Sequence, residues 1–287
     1  MLIGTHPLQT EKPSIMGVVN VTPDSFSDGG LFADTSSAIA HALKLAEWGA
    51  DIVDIGGEST RPGAAPVSED EELRRVIPVI EGVRKNSNVP ISIDTTKSLV
   101  AQRAIKAGAV MINDISAGRF DPEILEVAAE SRVPICLMHM QGNPKDMQRD
   151  PHYDDLLGEI AEFLNDSIVR AKRAGVAKDM LIVDPGIGFG KTPQDNVKIL
   201  KNLNSFSFPT EQGRDPENNG RKETIPILVG TSRKSFLGKL LGFEVNNRLE
   251  GTLATIAIAI DRGASILRVH DVEQARRFVD TYLLLHG

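Results

Sequence analysis

A single cysteine, Cys136, is all that this sequence of 287 residues offers to sulfur chemistry. It sits in the apolar run Pro-Ile-Cys-Leu-Met, so the chain alone builds neither a disulfide framework nor a cysteine-rich zinc site. A reducing compartment is consistent with that. Basic residues are in deficit as well: 32 Lys and Arg against 39 Asp and Glu leave a net charge of -7, with a pI near 5.5. This excludes the broad basic face that nucleic-acid binding needs, and any anionic ligand must be met by a local cluster of cations. No apolar run approaches the 18 or so residues of a membrane span. The N-terminus lacks the basic segment and apolar stretch of a secretory leader, so the expected location is cytoplasmic. Also missing is a Gly-x-Gly-x-x-Gly turn after the first β-rich run, which counts against a doubly wound open sheet holding a dinucleotide.

What is present is the composition of a compact globular protein, 41% hydrophobic and 25% charged. The length would permit two domains, but α/β barrels commonly reach about 250 residues as one unit, and the reading is one domain over 1–287. Eight short β-rich apolar runs recur at 14–21, 51–56, 90–95, 111–116, 134–139, 181–186, 225–230 and 266–271. Segments of helical periodicity lie between them, such as 36–48, 69–86, 97–107, 152–174 and 246–262. Glycine follows three of these helical segments, at Gly49, Gly108 and Gly263, where a left-handed cap would end a helix. Most runs are continuously apolar, as in a parallel sheet covered on both faces. The predicted fold is α/β, a (β/α)8 TIM barrel. One polar stretch rich in Pro, Gly and Asn, 206–224, predicts a mobile surface loop before the seventh strand.

In such a barrel, function collects at the C-terminal ends of the strands. Those ends supply Asn20, Asp54 with Glu58, Asp94, Asn113 with Asp114, His139, Asp184, Lys234, and Arg268 with His270. They sort into two groups. Asp94, Asn113 and Asp184 suit the donor edge of a flat nitrogen-rich ring, because a carboxylate accepts two parallel N–H bonds. Arg61, Lys234, Arg268 and His270 suit a phosphate or diphosphate. Structural roles stay open for several residues: a turn or helix cap for Asp54 and Asp114, a core histidine for His139, and plain packing for Met138. The stretches 20–30 and 56–65 are too polar and glycine-rich for mere connections and read as covers for a site. Gly186 to Thr192 only superficially resembles a nucleotide phosphate loop, because Pro185 stands where the motif requires glycine.

Taken together, eight segments closely resemble the dihydropteroate synthases of the pterin-binding enzyme family. They are Met16-Gly-Val-Val-Asn-Val-Thr-Pro-Asp-Ser-Phe-Ser-Asp-Gly, Asp54-Ile-Gly-Gly-Glu-Ser-Thr-Arg-Pro-Gly, Ser92-Ile-Asp-Thr, Ile112-Asn-Asp-Ile, Leu137-Met-His-Met, Asp184-Pro-Gly-Ile-Gly-Phe-Gly-Lys, Gly230-Thr-Ser-Arg-Lys-Ser and Arg268-Val-His-Asp. They run in order from the first strand to the last, and the 206–224 stretch departs from the family by its length. The resemblance implies a transferase of folate synthesis that condenses 7,8-dihydropterin-6-ylmethyl diphosphate with 4-aminobenzoate. It implies a pterin site of Asp94, Asn113, Asp184 and Lys234 with Met138 and Ile115. Asn20, Thr60, Arg61, Arg268 and His270 would hold the diphosphate, Asn20 through Mg2+. Thr60, Pro62, Phe189 and Ser235 would form the aminobenzoate pocket, joined by Phe26 and Asp28. Asp94, Lys234, Arg268 and Asp184 would carry the catalysis. A homodimer and a sulfonamide target are implied too. The alternatives are a pterin-binding methyltransferase serving a corrinoid protein, which needs no diphosphate clamp, and a paralogue that binds pterins without turnover.

Overall fold

The computed structural model describes residues 1–8, 12–22, 30–60, 63–214 and 222–286. Eight parallel strands close on themselves in chain order: β1 (Ser14–Asn20), β2 (Ile52–Gly56), β3 (Ile91–Asp94), β4 (Met111–Asp114), β5 (Ile135–Met138), β6 (Leu181–Asp184), β7 (Ile227–Val229) and β8 (Ala264–Val269). The expected (β/α)8 barrel is therefore present, and an open sheet is excluded. The helices are α1 (Gly30–Glu47), α2 (Glu69–Asn86), α3 (Ser98–Ala107), α4 (Glu123–Ser131), α5 (Leu156–Arg173), α6 (Pro193–Lys201), α7 (Ser235–Leu241), α8 (Leu249–Asp261) and α9 (Val272–His286). Local sequence sets their ends. The Ser68 hydroxyl accepts the Glu71 N–H at the start of α2, whose first turn is acidic and last turn basic, in accord with the helix dipole. Thr192 and Asp195 form a reciprocal capping box ahead of α6, with proline in its first turn. Among the described residues, no helix is long and apolar enough to cross a membrane.

Side chains alternate along each strand, so every second residue enters the barrel. One interior layer is apolar and fully buried: Met16, Ile52, Met111, Cys136, Ile182, Leu228 and Ile266. Ile3, from a small hairpin of Leu2–Ile3 with His6–Pro7, joins this layer. Two residues further along the same strands come Val18, Asp54, Asn113, Met138, Asp184, Gly230 and Arg268, with Asp94 two beyond the buried Ser92 of β3. The interior thus changes from oil to charge in one step of the pleat. The intervening strand residues face outward into the core beneath the helices, including Val53, Ile93, Ile112, Leu137, Val183 and Leu267.

The 206–224 stretch is not the single loop expected. Phe206 is buried, and Pro209–Arg214 pairs antiparallel with Lys222–Thr224, with an irregularity between the two pairings. Backbone hydrogen bonds hold such a hairpin whatever its side chains, so polar composition conceals it. Residues 215–221 lie outside the described residues.

Candidate active site

The polar layer opens at the C-terminal ends of the strands into a cavity. Asp94, Asn113, Asp184, Lys234 and Arg268 all line it, with Met138, Ile115, Phe189 and Thr60. Ile187 and Gly230 complete the lining. These residues come from strands or loops spread over more than half the sequence, and closure of the barrel makes them neighbours.

At the centre lies Arg268, at the end of β8. Its Nε donates to Asp54 Oδ2 at 2.6 Å and its Nη2 donates to Asp94 Oδ2 at 2.7 Å. Asn113 Nδ2 donates to the same Asp54 oxygen at 3.0 Å. Asp54, fully buried, is therefore no cap: it holds both an arginine and an amide of the site. Asp114 is a turn cap, accepting the backbone N–H groups of Ser116 and Gly118 at 2.7 and 2.5 Å. Arg268, grouped from sequence with the anion-binding cations, sits within the layer of acids rather than above it.

Burial dominates the electrostatics. It pushes the Asp94 carboxyl up to about 7, with Arg268 opposing and Asp54 reinforcing. Burial likewise raises Asp184 to about 6, opposed by the Gly186 N–H and then by Lys234. Lys234 is pushed down to about 8 by burial and by Arg268, while Asp184 and Asp94 pull it back. Its ammonium lies 4.4 Å from the centre of the Phe189 ring. Three carboxylates therefore face two cations in a confined space, where Asp94, Asp184 and Lys234 are each drawn toward neutrality.

Behind this floor, the loop Gly186–Lys191 is locked against β5. Lys191, only 2% exposed, points inward: its Nζ meets His139 Nδ1 at 2.9 Å and the Phe189 carbonyl at 2.9 Å. Burial, followed by the Lys191 charge, drives the His139 imidazole down to about 2 and keeps it neutral. His139 also packs edge-on to Phe163, which makes it a satisfied core histidine. A phosphate loop is ruled out on the same grounds, since the Lys191 ammonium faces the interior and Thr192 caps α6.

The other sequence-predicted residues sit differently. Asn20 is half-buried at the end of β1, Ser235 is exposed at the start of α7, and His270 is exposed just beyond β8; none lines the cavity. His270 Nδ1 lies 3.0 Å from Ser232 Oγ. Phe26, Asp28, Arg61 and Pro62 lie outside the described residues.

Comparison with known proteins decides the family. The model of the family described as "Pterin binding enzyme" matches residues 16–270. The chain belongs to the pterin-binding enzymes. It is 46% identical to the dihydropteroate synthase of Escherichia coli (strain K12) over 279 residues, covering 96% of this chain and 94% of the other. Among solved structures, Yersinia pestis dihydropteroate synthase with a sulfonamide drug aligns at TM-score 0.87 and 43% identity, over 100% of this chain and 98% of that one. The Xanthomonas albilineans dihydropteroate synthase in complex with 7,8-dihydropteroate aligns at TM-score 0.83 and 42% identity, over 98% and 96%.

Sequence reasoning left Asp54 undecided and did not see the inward turn of Lys191 in this pterin-binding enzyme. The signal for Asp54 lay in its position on β2, two residues past Ile52 and so inward-facing, paired with the buried Ser92 of β3, one inward step before Asp94. Lys191 carried no such signal, because its direction is set by glycines. Gly186 has φ +72°, and a Cβ there would stand 1.9 Å from the His139 carbonyl oxygen. Gly186→Ala is accordingly expected to destabilise the protein by more than about 2 kcal/mol, left-handed strain adding to a clash with rigid backbone. Urea unfolding measures it, and an unchanged midpoint would contradict the locked loop.

Proposed function

We infer that this chain joins 7,8-dihydropterin-6-ylmethyl diphosphate to 4-aminobenzoate, releasing diphosphate and 7,8-dihydropteroate. The observation that carries this reading is the convergence of Asp94, Asn113, Asp184, Lys234 and Arg268 on one cavity. A pterin presents a donor edge of N–H groups that the carboxylates accept, while Asn113 and Lys234 serve its acceptors. Met138 and Ile115 supply apolar contact for the flat ring. Phe189 and Thr60 line the side that would receive 4-aminobenzoate. Two Arg268 N–H groups are committed to acids; the rest of its fork, with Asn20, Thr60, Arg61 and His270, meets the diphosphate.

An aryl amine is a weak nucleophile, so rate comes mainly from departure of the diphosphate. The bond from the pterin methylene to oxygen breaks, its electrons leave with the diphosphate, and Arg268 stabilises the growing charge. Asp94 and Asp184 favour the positive charge left on the pterin. The amine nitrogen then bonds to the methylene carbon and loses a proton, and no covalent link to the enzyme forms. Asn20 offers one neutral oxygen, and no described group of three or more His, Cys, Asp or Glu could cage a metal. That donor set suits Mg2+ carried by the diphosphate with waters, the ion supplying neutralising charge on the phosphate oxygens.

The chain works as one domain, in the cytoplasm, as a homodimer. Support for the dimer comes from exposed apolar residues on the last three helices and their connections: Leu240, Leu241, Phe243, Ile258, Leu284 and Leu285. Sedimentation should give twice the chain mass, and Leu241→Glu with Ile258→Glu should shift it toward the monomer; a wild-type monomer would sink the assignment.

Product formation from the two substrates with Mg2+ tests the function, and absence of dihydropteroate would refute it. Arg268→Ala should then slow single-turnover diphosphate release by about 100- to 1,000-fold. Affinity for a pterin analogue should also depend on pH. Asp94 and Asp184 titrate near about 7 and about 6, and only their charged forms accept paired N–H bonds. As pH falls through that window binding should weaken, approaching about tenfold per unit for each carboxylate protonated. Calorimetric affinities that stay flat from neutral to acid pH would overturn the role given to these acids.

A further inference from the structure

We propose that Lys97, clamped between Glu58 and Glu72, is a positioning residue that fixes Thr60, on the segment that follows β2, in the aryl-amine wall of the cavity. This rests on the synthase reading above. None of the three residues lines the cavity, yet each belongs to an element that shapes it. Glu58 stands two residues past the end of β2, and Thr60, two further on, lines the cavity. Glu72 lies in the first turn of α2, where the loop ends. Lys97 follows β3, three residues after Asp94.

One ammonium joins all three elements. Lys97 Nζ donates to Glu58 Oε2 and, at 2.5 Å, to Glu72 Oε2. Glu58 Oε2 also faces the Val67 N–H at 3.4 Å, so the same carboxylate touches both limbs of the loop. Arg75 Nη1 donates to the Gly57 carbonyl at 2.8 Å, and the Lys97 N–H to Thr95 Oγ1 at 3.2 Å. On the far limb, the Gly63 N–H donates to the Pro144 carbonyl at 3.2 Å.

The triad is a poor choice if stability were its purpose. The Glu72 side chain is 1% exposed and Lys97 19%, and Glu72 Oε1 has no hydrogen-bond partner. Two carboxylates share one ammonium. Apolar residues of like volume would serve stability as well or better, whereas ions held this way fix one geometry. Burial works against the Lys97 charge, but the two carboxylates outweigh it and hold its pKa up, so the ammonium at the centre of the clamp keeps its charge through the neutral range. A loop anchored at Glu58 presents Thr60 in one position, and small misplacements of binding groups are expensive in rate or affinity.

The test compares the full-length protein with Glu58→Gln, and with Lys97→Met combined with Glu72→Leu, which removes the triad without leaving an unpaired buried charge. In both variants KM for 4-aminobenzoate should rise about tenfold or more, while KM for the dihydropterin diphosphate and kcat at saturation stay within about twofold. Amide exchange over 57–67 should quicken while that of β3 is unchanged. An unaltered KM for 4-aminobenzoate, equal losses for both substrates, or unchanged exchange over 57–67 would each overturn the proposal. If the unaltered protein forms no dihydropteroate, the synthase reading fails by itself, and the exchange measurement still judges the clamp.

Discussion

Arg268 reaches from β8 to carboxylates on β2 and β3, and the polar interior is organised around that reach. Remove the guanidinium, and Asp54 and Asp94 are like charges in a space almost closed to water; loss of one partner from such a buried set costs about 3–5 kcal/mol. Asn113 depends on it in turn, since the Asp54 oxygen that receives its amide is the one Arg268 holds. The strand ends therefore form a linked network in which each side chain is oriented by its neighbours. Such a network supplies rigidity where reacting groups must meet.

The same confinement sets the chemistry. Charges placed in water would be screened, but here burial outweighs every pairing in moving Asp94, Asp184 and Lys234 toward neutral pH. Groups balanced in this way respond to a ligand instead of holding a fixed state. Phe189 adds to the balance by placing a ring face near the Lys234 ammonium, and its own backbone is held by the buried Lys191. The Gly186–Lys191 loop thus couples a core lysine to a cavity wall through one carbonyl.

Much of this was legible in the residues. Eight apolar runs marked the eight strands, because a strand covered on both faces must be apolar along its length. Polar residues at their ends marked the floor. Asp94, Asn113, Asp184, Lys234 and Arg268 do meet in one cavity, an outcome of barrel closure acting on strand order. What stayed hidden depended on geometry that spacing does not encode. Asp54 looks like any strand-end cap until closure of the barrel lets Arg268 reach it across the interior. The Glu58–Lys97–Glu72 triad joins residues up to 39 positions apart; Glu58 stands near a strand end, but Glu72 and Lys97 look like ordinary surface charges in sequence. The hairpin of Pro209–Arg214 with Lys222–Thr224 forms through backbone bonds to which composition is blind.

The placement of Arg268 also bears on what the cavity accepts. An anion alone would draw the guanidinium toward itself and strip Asp54 and Asp94 of their counter-charge. A neutral ring alone would satisfy the acids and leave the arginine's remaining N–H groups without an acceptor. A molecule that carries N–H donors at one end and an anion at the other serves both halves at once, donating to the carboxylates as it accepts from the arginine. With Arg268 held on Asp54 and Asp94 throughout, a positive charge developing on the ring as the anion departs would stand nearest to Asp94 and Asp184. The mixed charge of the floor, a poor arrangement for a resting core, is thus matched to a substrate that separates its own charges as it reacts.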